Sequence, residues 1–140
     1  MPSNEMRQYV LAEVPQGKLS RDNFRLETAP VPTPGEGELL VKTRYISLDA
    51  ANRAWMQGAT YRDAVEGGDV MAGGILGEVL ESNDPNFAPG DLVSADGGWR
   101  EYAALSGKVC QKQPHIEPKT HLMSVYGVTG LTAYFGFLEI

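Results

Sequence analysis

Three short stretches hold the side chains that could do chemistry. In "DAANR" the amide of Asn52 and the guanidinium of Arg53 follow the carboxylate of Asp49. An amide can donate and accept at once, toward a ligand or toward a helix end. The fork of Arg53 suits a carboxylate or phosphate ligand, and equally a structural salt bridge to Asp49, itself read as structural. In "GVTGLTAY" the hydroxyl of Thr129 stands beside Gly130, whose missing side chain permits close approach. "AGGILGEV" invites a nucleotide-binding reading, but it lacks the ordered strand, G-x-G-x-x-G turn and helix that cradle a pyrophosphate. Its glycines are read as strand glycines. His115 and His121 lie in a loop without a cysteine pair and are read as solvated or hydrogen-bonded loop residues.

The chain has 140 residues, a length that buries one sizeable core, and its apolar fraction of 42% and charged fraction of 21% are those of a globular domain. A net charge of −6 with no basic run argues against nucleic acid and against an anionic membrane surface. No apolar run approaches membrane-spanning length, and "MPSNEMRQYV" lacks the flank and core of a signal peptide, so a cytoplasmic chain is expected. The single cysteine, Cys110, excludes an internal disulfide framework and is read as a small buried hydrophobe.

These residues need elements to position them. "MRQYVLAE", "NFRLETAPVP" and "GELLVKTRYISLD" read as strands, and "AANRAWMQG" as one short helix with Gly58 suited to a left-handed cap. "TYRDAVEGGD" reads as a mobile loop. "VMAGGILGEVLES" resumes an apolar strand whose three glycines imply close backbone approach. Pro89 and Gly90 fit the central positions of a type II turn, and "DGG" supplies a turn before an aromatic strand in which Trp99 and Tyr102 are expected in the core. Short strands with tight turns predict a mainly β, partly open barrel. "GVTGLTAYFGFLEI" reads as a helix with Val128, Leu131, Phe135 and Leu138 along one stripe, widened by Tyr134 and Phe137.

"YISLDAANRAWM", "GGILGEVLES", "FAPGDLV", "GWREYAAL" and "YGVTGLTAYFGFLEI" fall in one order and at familiar spacings over nearly the whole chain. Together they resemble the medium-chain dehydrogenase/reductase superfamily, and within it the zinc-independent alkenal/enone reductases. The resemblance implies a GroES-like barrel over residues 1–124, and a bridging helix over 125–140 that leads into a Rossmann domain absent from this sequence. A truncated piece, engineered or natural, is therefore expected. The helix is expected to lack its usual partner and to pair copies into a homodimer.

The implied activity is NADPH-dependent reduction of the C=C bond of small enones or alkenals by metal-free hydride transfer, with this piece inactive alone. NADPH is expected to be held mainly by the absent domain. Zinc-binding relatives place a cysteine and a histidine near the positions of Asp49 and Gly73, so no metal is expected. The resemblance sets Asn52, Thr129 and Gly130 at the cofactor. Where related enzymes often carry Pro-Tyr-Met, this chain has Ala50, Ala51 and Asn52. Tyr45 and Met56 are read as substrate-pocket residues, with plain core packing as the alternative. Tyr61 is read as an exposed loop tyrosine before a lid. A different class stays open: a stand-alone GroES-like binding or assembly module that uses the terminal helix as its surface.

Overall fold

A computed structural model describes residues 4–140. The strands are β1 (Glu5–Leu11), β2 (Phe24–Pro30), β3 (Glu38–Ile46), β4 (Gly74–Ser82), β5 (Leu92–Asp96), β6 (Tyr102–Ser106) and β7 (Gln111–Gln113). The helices are α1 (Ala50–Trp55) and α2 (Val128–Leu138), with short 3-10 turns between strands. The strands form an antiparallel pair, β1-β2, and a five-stranded sheet in the order β6-β3-β4-β5-β7. This is the expected mainly β architecture, with two sheets and no closed barrel.

The apolar run Leu39–Leu40–Val41 in β3 suits its interior place between β6 and β4, since a strand paired on both sides buries its side chains. Leu39, Val41, Ile75, Val79, Val93, Ala103 and Leu105 form one buried cluster, with Cys110 half-buried against it. Burial raises the Cys110 thiol pKa and leaves it a packing residue. Gly77 shows why this strand pair needs a glycine. A β-carbon there would lie 2.4 Å from Val41 Cγ1 and 3.0 Å from the Lys42 carbonyl oxygen, beside the register shift between Thr43 and Tyr45.

The β1-β2 hairpin is sewn across the rest of the fold by backbone hydrogen bonds. Tyr9 donates to Trp99 O at 2.8 Å, Leu11 to Asp69 O at 2.9 Å, and Met71 to Tyr9 O at 2.9 Å. Beneath the hairpin lies a second cluster of Leu11, Trp55, Met56, Val65, Met71 and Ala72, with Phe24 and Trp99 against it.

The Pro89–Gly90 turn forms as expected, with Gly90 at φ 92° and Asp91 N–H donating to Ala88 O at 3.0 Å. Two local expectations need correction. Helix α1 ends on Met56 in the right-handed region, and Gly58 at φ 159° is nearly extended rather than left-handed. The loop after it is anchored: Val65 is buried and its N–H donates to Trp55 O at 2.9 Å. Strand β7 is polar, Gln-Lys-Gln, and has no apolar alternation by which to be read.

Candidate functional site

The geometry around α1 is set by its first turn. Asp49 is the N-cap, and its Oδ1 accepts from Ala51 N–H at 2.9 Å. Asn52, at the third helical position, returns the contact: its Oδ1 accepts from Asp49 N–H at 2.8 Å, which completes a capping box. The other end of the same amide donates to Ala72 O at 3.1 Å and ties the helix to the segment entering β4. Asn52 is buried, and both ends of its amide are engaged within the chain. Arg53 turns away from Asp49 and donates through Nη2 to Gly17 O at 2.9 Å, so the expected Asp49–Arg53 bridge is not formed.

Next to Ala72 comes Gly73, and against it the indole of Trp99. A β-carbon on Gly73 would lie 2.7 Å from Trp99 Nε1. The indole is fixed by stacking on Phe24 at 5.6 Å and by an edge contact with Tyr9 at 6.5 Å. Its N–H has no hydrogen-bond partner among the described residues.

The sequence-predicted pocket residues separate. Met56, 3% exposed, fills the second core cluster and lines neither of the cavities described here, because the last turn of α1 faces inward toward Leu11 and Met71. Tyr45 is 41% exposed near the end of β3 and keeps an open face. Tyr61 is exposed and touches Trp55 edge-on at 6.0 Å. Both histidines are exposed, and His121 makes only a ring contact with Tyr126 at 6.4 Å.

Thr129 and Gly130 line a cavity of about 630 Å³ at the start of α2, together with Val125, Tyr126, Leu131 and Tyr134 among others. No charged side chain lines it. Thr129 is exposed and its hydroxyl has no partner among the described residues. Gly130 is needed for the chain path itself, since a β-carbon there would lie 1.7 Å from Val125 O. The large apolar side chains of α2 beyond it are exposed, from Phe135 at 55% to Phe137 at 87%. The cavity lining is mostly apolar, with hydroxyls from Ser124, Tyr126, Thr129 and Tyr134, and the first turn of α2, whose N-cap Gly127 brings no side-chain hydrogen bond, forms part of it.

A smaller cavity of about 170 Å³ is lined by Arg62, Asp96 and Arg100 together with Val70, Ala72, Gly97 and Gly98. Sequence reasoning does not find it. The two arginines are isolated in the sequence, and only the return of β5 beside the loop after α1 brings them together.

Comparison with known proteins places this geometry. A family model described as the N-terminal domain of oxidoreductase matches residues 7–113. The NADPH-dependent curcumin reductase of Escherichia coli is 41% identical over 136 residues, covering 96% of this chain and 39% of that protein. The NADP(+)-dependent 2-alkenal reductase of Nicotiana tabacum is 33% identical over 110 residues, covering 76% and 32%. The crystal structure of CurA from Vibrio vulnificus in complex with NADPH superposes with a TM-score of 0.85 at 36% identity, covering 96% of this chain and 40% of that one. The chain thus spans about two fifths of the length of the curcumin reductase and of the CurA chain, and about a third of the 2-alkenal reductase. With the domain match, these likenesses show that the chain belongs to the alkenal/enone reductase group of the medium-chain dehydrogenase/reductase superfamily and carries its N-terminal domain.

Proposed function

We propose that this chain is the substrate half of an NADPH-dependent reductase that saturates the C=C bond of α,β-unsaturated ketones or aldehydes. The observation that carries the reading is the uncharged cavity at Thr129 and Gly130, open beside the exposed face of α2. NADPH supplies a hydride when bound. Thr129 would hold the bound group through its hydroxyl, and Val125, Leu131 and Tyr134, more than half exposed in this chain, would shield it from water only once a nucleotide-binding half packs over them. Tyr45 is proposed as a wall of the substrate pocket. Asn52 and Met56 act one layer behind: the amide holds α1 to Ala72, and the thioether fills the core under it.

Hydride arrival at the β-carbon leaves an enolate, which needs hydrogen-bond donors or a Lewis acid. A metal-free mechanism is supported by Gly73, which has no donor atom where zinc-binding relatives carry histidine, and by the Trp99 indole that fills the adjoining space. The phosphates and the enolate donors are assigned to a nucleotide-binding half that packs on α2, and the domain division at residues 1–124 and 125–140 follows that boundary.

A fusion of residues 1–140 to the remaining part of the E. coli curcumin reductase tests the proposal. The fusion should oxidise NADPH with simple enones, and the chain alone should not. A folded, NADPH-binding fusion without enone turnover, or turnover by the chain alone, would overturn it.

A further inference from the structure

The cavity of about 170 Å³ between Arg62 and Arg100 is larger than a water site and smaller than the pockets that enclose drug-sized ligands. Its charges do not balance. Asp96 pairs with Arg62, whose guanidinium also lies over the Trp55 ring at 4.7 Å. Among the described residues Arg100 has no ion pair: its Nε donates to Gly97 O at 2.7 Å, and the outer nitrogens of the fork have no partner there. Two cations and one carboxylate therefore face one space, with a net charge of +1.

We propose that this cavity binds the carboxylate of a small organic acid, through the free fork of Arg100 and the guanidinium of Arg62. The fork geometry matches two parallel hydrogen bonds to a planar carboxylate. A single negative charge brings the site to neutrality, whereas a phosphate dianion would leave surplus negative charge beside Asp96. Arg100 is partly buried, and desolvation lowers its pKa, with Asp96 opposing the shift only in part. The Trp55 ring under the Arg62 guanidinium and the pairing with Asp96 restrain Arg62, so that less freedom is lost when a ligand binds. The site stands apart from the Thr129 cavity, and its occupation is independent of any reductase activity.

The test is a titration of the full chain with butyrate at constant ionic strength, read by NMR at the Arg62 and Arg100 Nε–H groups and the Trp55 indole. Saturable shifts are expected at all three, with affinity at least about tenfold weaker in Arg100→Met and in Arg62→Met. Arg25→Met, on the exposed hairpin, should leave the affinity unchanged. Inorganic phosphate should compete only weakly. Shifts that rise linearly without saturation, retained affinity in whichever of the two arginine variants stays folded, or phosphate binding tighter than butyrate would each overturn the assignment.

Discussion

The indole of Trp99 stands so close over Gly73 that the smallest side chain at position 73 would meet its Nε1 at 2.7 Å. The ring cannot swing aside cheaply, because Phe24 and Tyr9 hold it. Gly73→Ala should therefore destabilise the fold by about 1–3 kcal/mol, read as a lower urea midpoint. The same substitution in a Trp99→Leu background should cost clearly less. Equal costs in both backgrounds would show that the indole is not what excludes a side chain there.

Asn52 gives a prediction of a different kind. Asn52→Ala removes the reciprocal cap and leaves Ala72 O without its donor, at a cost of about 1–3 kcal/mol in stability. In the fusion with a nucleotide-binding half, the variant should lose thermal stability while its NADPH affinity stays within about twofold of the parent. A large loss of NADPH affinity with unchanged stability would move Asn52 from support to direct cofactor contact.

Gly130→Ala should disrupt the turn into α2, since Val125 O occupies the place its β-carbon needs. Hydrogen exchange of the α2 amides should accelerate while β3 and β4 stay protected. Thr129→Leu leaves that turn intact and, in the fusion, should raise the NADPH KM and lower kcat.

The Arg7–Glu101 ion pair ties β1 to the segment before β6, with Arg7 Nη2 2.5 Å and Nε 3.0 Å from Glu101 Oε1. Hydrogen bonds from the Arg7 side chain, and then from its backbone N–H, hold the Glu101 carboxyl below its usual 4.5. The stabilisation is thus full above about pH 4.5 and is lost as pH falls through the depressed value. Glu101→Gln should be slightly less stable than the parent at pH 7, as for an exposed pair, and the two should converge in acid. A gap in urea midpoint that persists to pH 2 would contradict the linkage.

The exposed α2 face bears on assembly. Each large apolar side chain buried there is worth roughly 1.5–3 kcal/mol, so the chain should dimerise through α2 when no nucleotide-binding half covers it. Sedimentation equilibrium should show a dimer for the full chain and a monomer for a version ending at Ser124. A strictly monomeric full chain would mean that the helix finds no partner in a second copy.

Local chemistry was legible where neighbours in sequence decide it. Pro89–Gly90 turns because proline fixes one torsion and glycine permits the next, and the crowding at Gly77 was visible as a glycine inside an apolar strand. The D-x-x-N spacing of Asp49 and Asn52 carried the capping box, but nothing local said that Asn52 Nδ2 would reach Ala72, 20 residues on. Met56 has the same apolar character on a pocket wall as in a core, and only the packing of Leu11 and Met71 around it decides between them. Arg62 and Asp96 are 34 positions apart, so their meeting beside Arg100 is a property of strand topology alone.

The strand order β6-β3-β4-β5-β7 sets the timing of biosynthesis. Strand β3 leaves the ribosome early, yet one of its two edges stays open until residues 102–106 have been made. At roughly 5–20 residues per second that gap lasts several seconds, during which the Leu39–Val41 edge is a template for mispairing. Nascent chains arrested with residues 1–95 outside the ribosome should therefore recruit chaperones that chains arrested with 1–120 outside have shed. Translation pauses placed between β5 and β6 should lower the soluble yield without any change in the protein's amino acids.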